Sequence, residues 1–181
     1  MPNLQSEYEE TMKLFIDQIF TGTHLDHFEE TYFSEEFNTA IAREIGLKER
    51  KLVDKRVDDD GKVHRRVRMV PAIELPGPIR KIVGDREISY DEVSVFDPST
   101  HSVRYQIESA AQDRVSVGGE IQFTEESGSG VRRVIDGEIQ VKVFGLGTVI
   151  ERFIESETQK SYARISNFMQ TWLDEHPPAA D

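Results

Sequence analysis

The chain has 181 residues, enough for one full-sized domain and too few for two comfortable ones. It has no cysteine, which excludes a disulfide framework, a thiolate metal site and a cysteine nucleophile together. Its 22 basic against 34 acidic residues give a formal charge of -12, a field that repels nucleic-acid backbones and anionic membrane surfaces.

Residues 1–6 and 177–181 read as frayed ends, leaving one domain over residues 7–176. The first residues lack the basic start and apolar core of a secretory signal. No run approaches the ~18 apolar residues of a membrane span, so a cytoplasmic location without stable membrane insertion is expected. From Glu10 to Phe20 a first strand puts Met12, Leu14 and Ile16 on one side. Two short helices follow, one around Leu25, Phe28 and Tyr32, the next around Phe37, Ala40, Ile41 and Ile45. Ser34, with Glu35 and Glu36 in the following turn, supplies the N-terminal signal of the second.

Six strands come next. Leu52, Val53 and Val57 suggest one, and Val63, Val67 and Met69 another. In the strand carrying Ile88, Tyr90, Val93 and Val95 the parity switches near Asp91-Glu92, which predicts a bulge. Val103, Tyr105 and Ile107 alternate with polar residues, as do Val115, Val117, Ile121 and Phe123, then Val131, Ile135, Ile139, Val141 and Val143. Such alternation gives strands one wet and one buried face. Gly118-Gly119 predicts a second bulge. Asp58-Asp59-Asp60-Gly61, Asp97-Pro98-Ser99-Thr100 and Glu126-Ser127-Gly128-Ser129-Gly130 are turn sequences, so the neighbours are antiparallel hairpins. Last, Leu146, Val149, Ile150, Phe153, Ile154, Tyr162, Ile165, Phe168, Met169, Trp172 and Leu173 draw a helical stripe between Gly145-x-Gly147 and Pro177. A helix over residues 147–175 is roughly 43 Å long.

The fold class is therefore α+β: a curved seven-stranded antiparallel sheet wrapped around a long C-terminal helix, with two short helices after the first strand. One row of helix side chains cannot fill so curved a sheet, and a cavity between them is expected.

This order resembles the helix-grip fold of the START and polyketide-cyclase superfamily, which includes the birch-pollen-allergen proteins. Within it, the chain resembles a bacterial START-like family of uncharacterised function. The matching segments are Tyr32-Phe33-Ser34-Glu35-Glu36-Phe37, Pro76-Gly77-Pro78-Ile79-Arg80-Lys81-Ile82-Val83-Gly84, and Gly137-Glu138-Ile139-Gln140-Val141-Lys142-Val143-Phe144-Gly145 running into Leu146-Gly147 and Glu151. The resemblance implies a pocket for a hydrophobic or amphipathic ligand and carries no agreed catalytic residues.

Among residues that carry chemistry, His24 and His27 have a spacing two ligands use on one helical face, but no further ligand accompanies them, and they read as surface histidines. His64 and His101 read as solvent-facing. No Ser-His-Asp order, phosphate-binding glycine loop or zinc-helix motif is present. Arg65 and Arg133 fall on the inward parity of their strands, and Glu157, Thr158 and Ser161 interrupt the helix stripe. Either these groups meet the polar end of a ligand, with an arginine facing a carboxylate or phosphate, or the arginines snorkel outward and the helix bows away from the sheet. Met69, Tyr90, Tyr105, Phe123 and Phe153 complete the candidate cavity wall, and Pro76, Ile79, Ile82 and Val83 a candidate entrance. Core and loop packing are the plain alternatives for both sets.

The expectation is non-covalent binding of a hydrophobic or lipid-like small molecule, as a carrier or sensor, with no cofactor, metal or nucleic acid. A cyclase or dehydratase using the same cavity, with Glu157 and Arg65 as its polar pair, is the alternative, and a partner-binding module without ligand is the third.

Overall fold

A computed structural model describes residues 10–83, 87–128, 130–142 and 147–179 of the chain. Strand β1 (Glu10–Thr21) is followed by α1 (Leu25–Phe33) and α2 (Glu35–Glu44), then β2 (Leu47–Val57), β3 (Val63–Pro71) and a short helix α3 (Gly77–Val83). Strands β4 (Tyr90–Asp97), β5 (Ser102–Ser109), β6 (Val115–Glu126) and β7 (Gly130–Val141) precede α4 (Gly147–Glu175). Strands β2 to β7 form a meander, and β1 joins it beside β7, giving one antiparallel sheet in the order β1-β7-β6-β5-β4-β3-β2. The expected Val143, Gly145 and Leu146 at the start of the helix lie outside the described residues.

Ser34 makes the α1–α2 corner. Its extended backbone ends α1, and its hydroxyl accepts the Phe37 N–H at 3.1 Å, capping α2. Asn38 locks the corner by donating to the carbonyls of Tyr32 and Ser34.

Two sequence expectations are corrected. Neither β4 nor β6 has a bulge, since both keep continuous register with both neighbours. The irregularities lie instead in β2, at Leu47/Glu49 and Leu52/Asp54. A helix not expected from the sequence, α3, follows Pro76 in the connection between β3 and β4, where Ile79 and Arg80 both donate to the Pro76 carbonyl at 2.9 Å. Proline suits a first turn, whose N–H has no intrahelical partner.

Inward positions form rows across the sheet. Ile16, Ile135, Ile121, Val103, Phe96 and Val63 make one apolar row. The next runs Leu14, Gly137, Gly119, Tyr105, Ser94 and Arg65, and the one beyond it Met12, Ile139, Val117, Ile107, Glu92 and Val67. The core is accordingly split. One cluster gathers Phe20, Phe28, Phe37, Phe123, Ile135, Met169 and Leu173 at the C-terminal end of α4. The other joins Ile79, Ile139, Val141 and Ile150 near its start. Between them, no residue of α4 from Phe153 to Phe168 is fully buried.

The glycine pair in the middle row explains the curvature there. A Cβ on Gly119 would stand 2.6 Å from the Gly137 Cα and still closer to the Asp136 carbonyl, whereas one on Gly137 would meet the Tyr105 hydroxyl at 2.8 Å. The strands approach at Gly119, and the Tyr105 ring lies across the gap that the glycines leave. Gly119→Ala, opposed by backbone, should therefore cost about 3 kcal/mol, and Gly137→Ala, opposed by the end of a movable side chain, about 1 kcal/mol in urea unfolding. The reverse ranking would contradict this account of the bend.

Candidate functional site

The two inward arginines do not snorkel. Arg65 is 7% exposed and Arg133 1%. Arg65 stacks over the Phe33 ring at 5.3 Å, and its Nη2 donates to Glu35 Oε1 at 3.3 Å. Glu35, at the start of α2, also accepts from Arg50 Nη1 on its other oxygen at 3.1 Å. One carboxylate thus answers two guanidinium groups.

Arg133 is held differently. Its guanidinium lies over the ring of Phe20, at 5.1 Å, and over that of Tyr162, at 5.8 Å. Nη2 donates to Gln18 Oε1 and to Ser166 Oγ, the latter at 3.2 Å, while Nε is buried without a partner among the described residues. Among those residues no carboxylate lies within 4 Å of it. Burial lowers its pKa from the ordinary arginine value, but an arginine keeps its charge at any pH a folded protein meets.

Glu92 is the inward carboxylate. It stands between Ile107 and Val67 in register, half-buried, with no hydrogen bond to any described residue. Burial raises its pKa, and the fields of Arg65 and Arg50 oppose that rise without cancelling it. The same interior pushes the phenols of Tyr90 and Tyr105 up to about 12, chiefly by desolvation with Glu92 adding to it. Tyr32 and Tyr162 are raised by burial as well, and each feels both Arg133 and Glu92. These groups come from α1, β4, β5, β7 and α4 and converge on one interior region.

That region is not packed solid. Tyr32, Tyr90, Glu92, Tyr105, Ile107 and Tyr162 lie deep enough for desolvation to act, yet each keeps accessible surface. The hydroxyls of Tyr32, Tyr105 and Tyr162 have no hydrogen-bond partner among the described residues, and none is sealed in packed protein. These groups surround one partly buried interior region. It lies under the unburied middle of α4, between the two halves of the core. A separate open cleft of about 300 Å³ opens between α1 and the β2–β4 edge, lined by Asp26, Glu29, Glu30, Phe33, Lys55, Val63, Arg65 and Phe96. Its three carboxylates and wide mouth make it the poorer site for an apolar guest.

The other sequence candidates separate. Met69 and Ser161 are half-buried. Phe123 is fully buried and packs edge-on to Phe28 and Tyr32, so it belongs to the closed core. Phe153 packs against the cluster around Ile150, as does Ile79. Pro76 is half-buried beside them, and the side chains of Ile82 and Val83 lie outside the described residues. Glu157 turns to Lys160 at 2.9 Å and makes no pair with Arg65. The histidines serve local structure: His24 caps α1, His27 meets Thr23, His64 meets Asp58 and His101 meets Glu29. Among the described residues no group of three or more His, Asp or Glu is placed to hold a metal.

Glu92, Gln18 and Tyr32 are absent from the sequence candidates. Gln18 was legible, since it shares the parity of Ile16 and Phe20. Glu92 was hidden by Val93 and Val95, whose apolar character reads as inward; both point outward, beside Arg66 and Arg104.

The architecture is the helix-grip fold. It aligns with an aromatase/cyclase from Streptomyces sp. R1128 at a TM-score of 0.66 and 9% identity, covering 92% of this chain and 95% of that one. Norcoclaurine synthase from Thalictrum flavum, in complex with dopamine and hydroxybenzaldehyde, aligns at 0.65 and 13%, covering 99% and 96%. A protein from Thermus thermophilus, TTHA0849, aligns at 0.64 and 11%, covering 92% and 100%. No curated protein matches the sequence. Residues 21–173 match the family described as "Protein of unknown function (DUF2505)", and the chain belongs to that family.

Glu92 gives a sign-definite prediction. Its folded pKa lies above the ordinary carboxyl value of 4.5, so its cost to the native state is absent below that pH and grows as pH rises through the raised value. Glu92→Gln should raise the melting temperature at pH 7.5 by a few degrees, at about 2–4 °C per kcal/mol for this size, and leave it unchanged at pH 4. Circular dichroism melts at the two pH values check this. A loss of stability at pH 7.5 would mean that Glu92 is ionised and paired.

Proposed function

We propose that the chain binds a hydrophobic or amphipathic small molecule non-covalently in the chamber between the sheet and α4, as a carrier or sensor. The carrying observation is the set of tyrosine hydroxyls, free among the described residues, beneath a helix whose middle is nowhere fully buried. A protein interior normally closes at crystal-like density and pairs its polar groups. A guest meets both needs: its apolar surface gains roughly 25 cal/mol per Å² buried, and its polar end bonds the hydroxyls. Norcoclaurine synthase, holding dopamine and hydroxybenzaldehyde on a similar fold, supports a guest of that size.

One observation favours a second reading, an enzyme of the cyclase or dehydratase type. Glu92 is an inward carboxyl whose pKa burial raises, a direction that suits a general acid, and the tyrosines Tyr90 and Tyr105 feel its charge. Glu92→Gln separates the two: a carrier keeps its ligand unaltered, whereas an enzyme binds it and loses turnover.

The binding reading is tested by native mass spectrometry and solvent extraction of the purified protein, with titration by a sulfonated hydrophobic dye. A co-purifying hydrophobic molecule, or saturable dye binding, is expected. Ser161→Phe, which fills the space under mid-α4, should remain folded and weaken dye binding at least about tenfold, about 1.4 kcal/mol. A protein with no extractable guest and no dye binding would refute the reading.

A further inference from the structure

Resting on that reading, we infer that the guest is an amphipathic acid, a molecule with an apolar body and a single oxyanion head that pairs with Arg133. The interior opposes the surface in sign. The chain carries -12 overall, yet Arg50, Arg65 and Arg133 all turn inward, against Glu35 and Glu92. Glu35 is committed to Arg50 and Arg65, one oxygen to each. Glu92 feels those same two arginines and is itself driven toward its neutral form by burial. Among the described residues, Arg133 is left without a counter-charge.

Its present contacts do not supply one. Gln18 and Ser166 are neutral acceptors on Nη2, and the Phe20 and Tyr162 rings offer only their π faces. An isolated buried guanidinium is costly, and arginine, unlike lysine, does not escape by shedding its proton. Nη2 is taken by Gln18 and Ser166, which leaves Nε and Nη1, unpaired among the described residues, to meet an oxyanion. The Tyr162 and Tyr32 hydroxyls, both within the field of Arg133, are free to donate to the same head. Arg133, the guanidinium with no carboxylate within 4 Å among the described residues, calls for one oxyanion. The half-buried Ile107, Val117 and Phe153 would flank the body.

The test compares decanoate with decanamide, equal in length and differing in charge, by displacement of the bound dye at pH 7.5. The wild-type chain should prefer the acid at least about tenfold, and the preference should survive about 0.5 M salt because the pair is shielded from solvent. Arg133→Met should bring the ratio to about one by weakening decanoate more than decanamide, and Arg133→Lys should retain part of the preference. Equal affinity of the wild-type chain for acid and amide overturns this inference and leaves hydrophobic binding standing. An acid preference that Arg133→Met does not alter also overturns it. If neither probe binds, the binding reading falls and takes this inference with it. The wild-type comparison decides even if the methionine variant does not fold.

Discussion

One helix of 29 residues presses a single stripe of side chains against its sheet, while a curved seven-stranded sheet offers more inward rows than that stripe fills. The chain meets this mismatch with two buried clusters at the ends, and the stretch of α4 between them is nowhere fully buried. Aromatic rings from α1, α2 and the end of α4 seal one end, and α3 with Ile150 seals the other. The polar rows, the tyrosines and the half-buried turn of α4 all lie in the interval. Gly119 and Gly137 set its floor, since only residues without a Cβ allow the strands to approach and Tyr105 to lie across them.

Charge follows the same division. Outward-facing residues form ion pairs across strands, such as Asp91 with Arg66 and Arg68, and Asp17 with Arg132. Pairs whose two partners both stay open to solvent, such as Asp17 with Arg132, contribute little to stability. Arg133 matters more because it is buried away from solvent, whereas the Arg50 and Arg65 pairs end on the half-exposed Glu35. Those two share Glu35, and Arg133 is held by neutral acceptors and ring faces. A net-acidic protein thus surrounds an interior of the opposite sign, a contrast that composition alone conceals.

Much of the fold was legible in the sequence because period-two alternation and a long helical stripe are strong signals. The α4 limits, the α1–α2 corner at Ser34 and the inward parity of Arg65 and Arg133 followed directly from spacing. Reading failed where apolar character and geometry disagree. Val93 and Val95 look like core residues but lie on the outer face beside Arg66 and Arg104, so the parity seemed to switch near Asp91-Glu92 and Glu92 was passed over. Gly118-Gly119 looked like a bulge, yet the register holds, because the second glycine accommodates a close strand approach. Glu157 interrupts the stripe as expected but finds Lys160 one turn along, a pairing that lies within reach of any helix. Which polar groups converge depends on the register of five elements, and that is a tertiary property.

The central claim, that the interior holds an occupied or wet chamber bounded by Arg133 and the free tyrosine hydroxyls, is most directly tested by ordered density in a crystal of the purified protein. The account predicts a ligand head or water molecules within hydrogen-bond distance of Arg133, Tyr32 and Tyr162. A dry, closed interior in which those groups pair with protein atoms would contradict it.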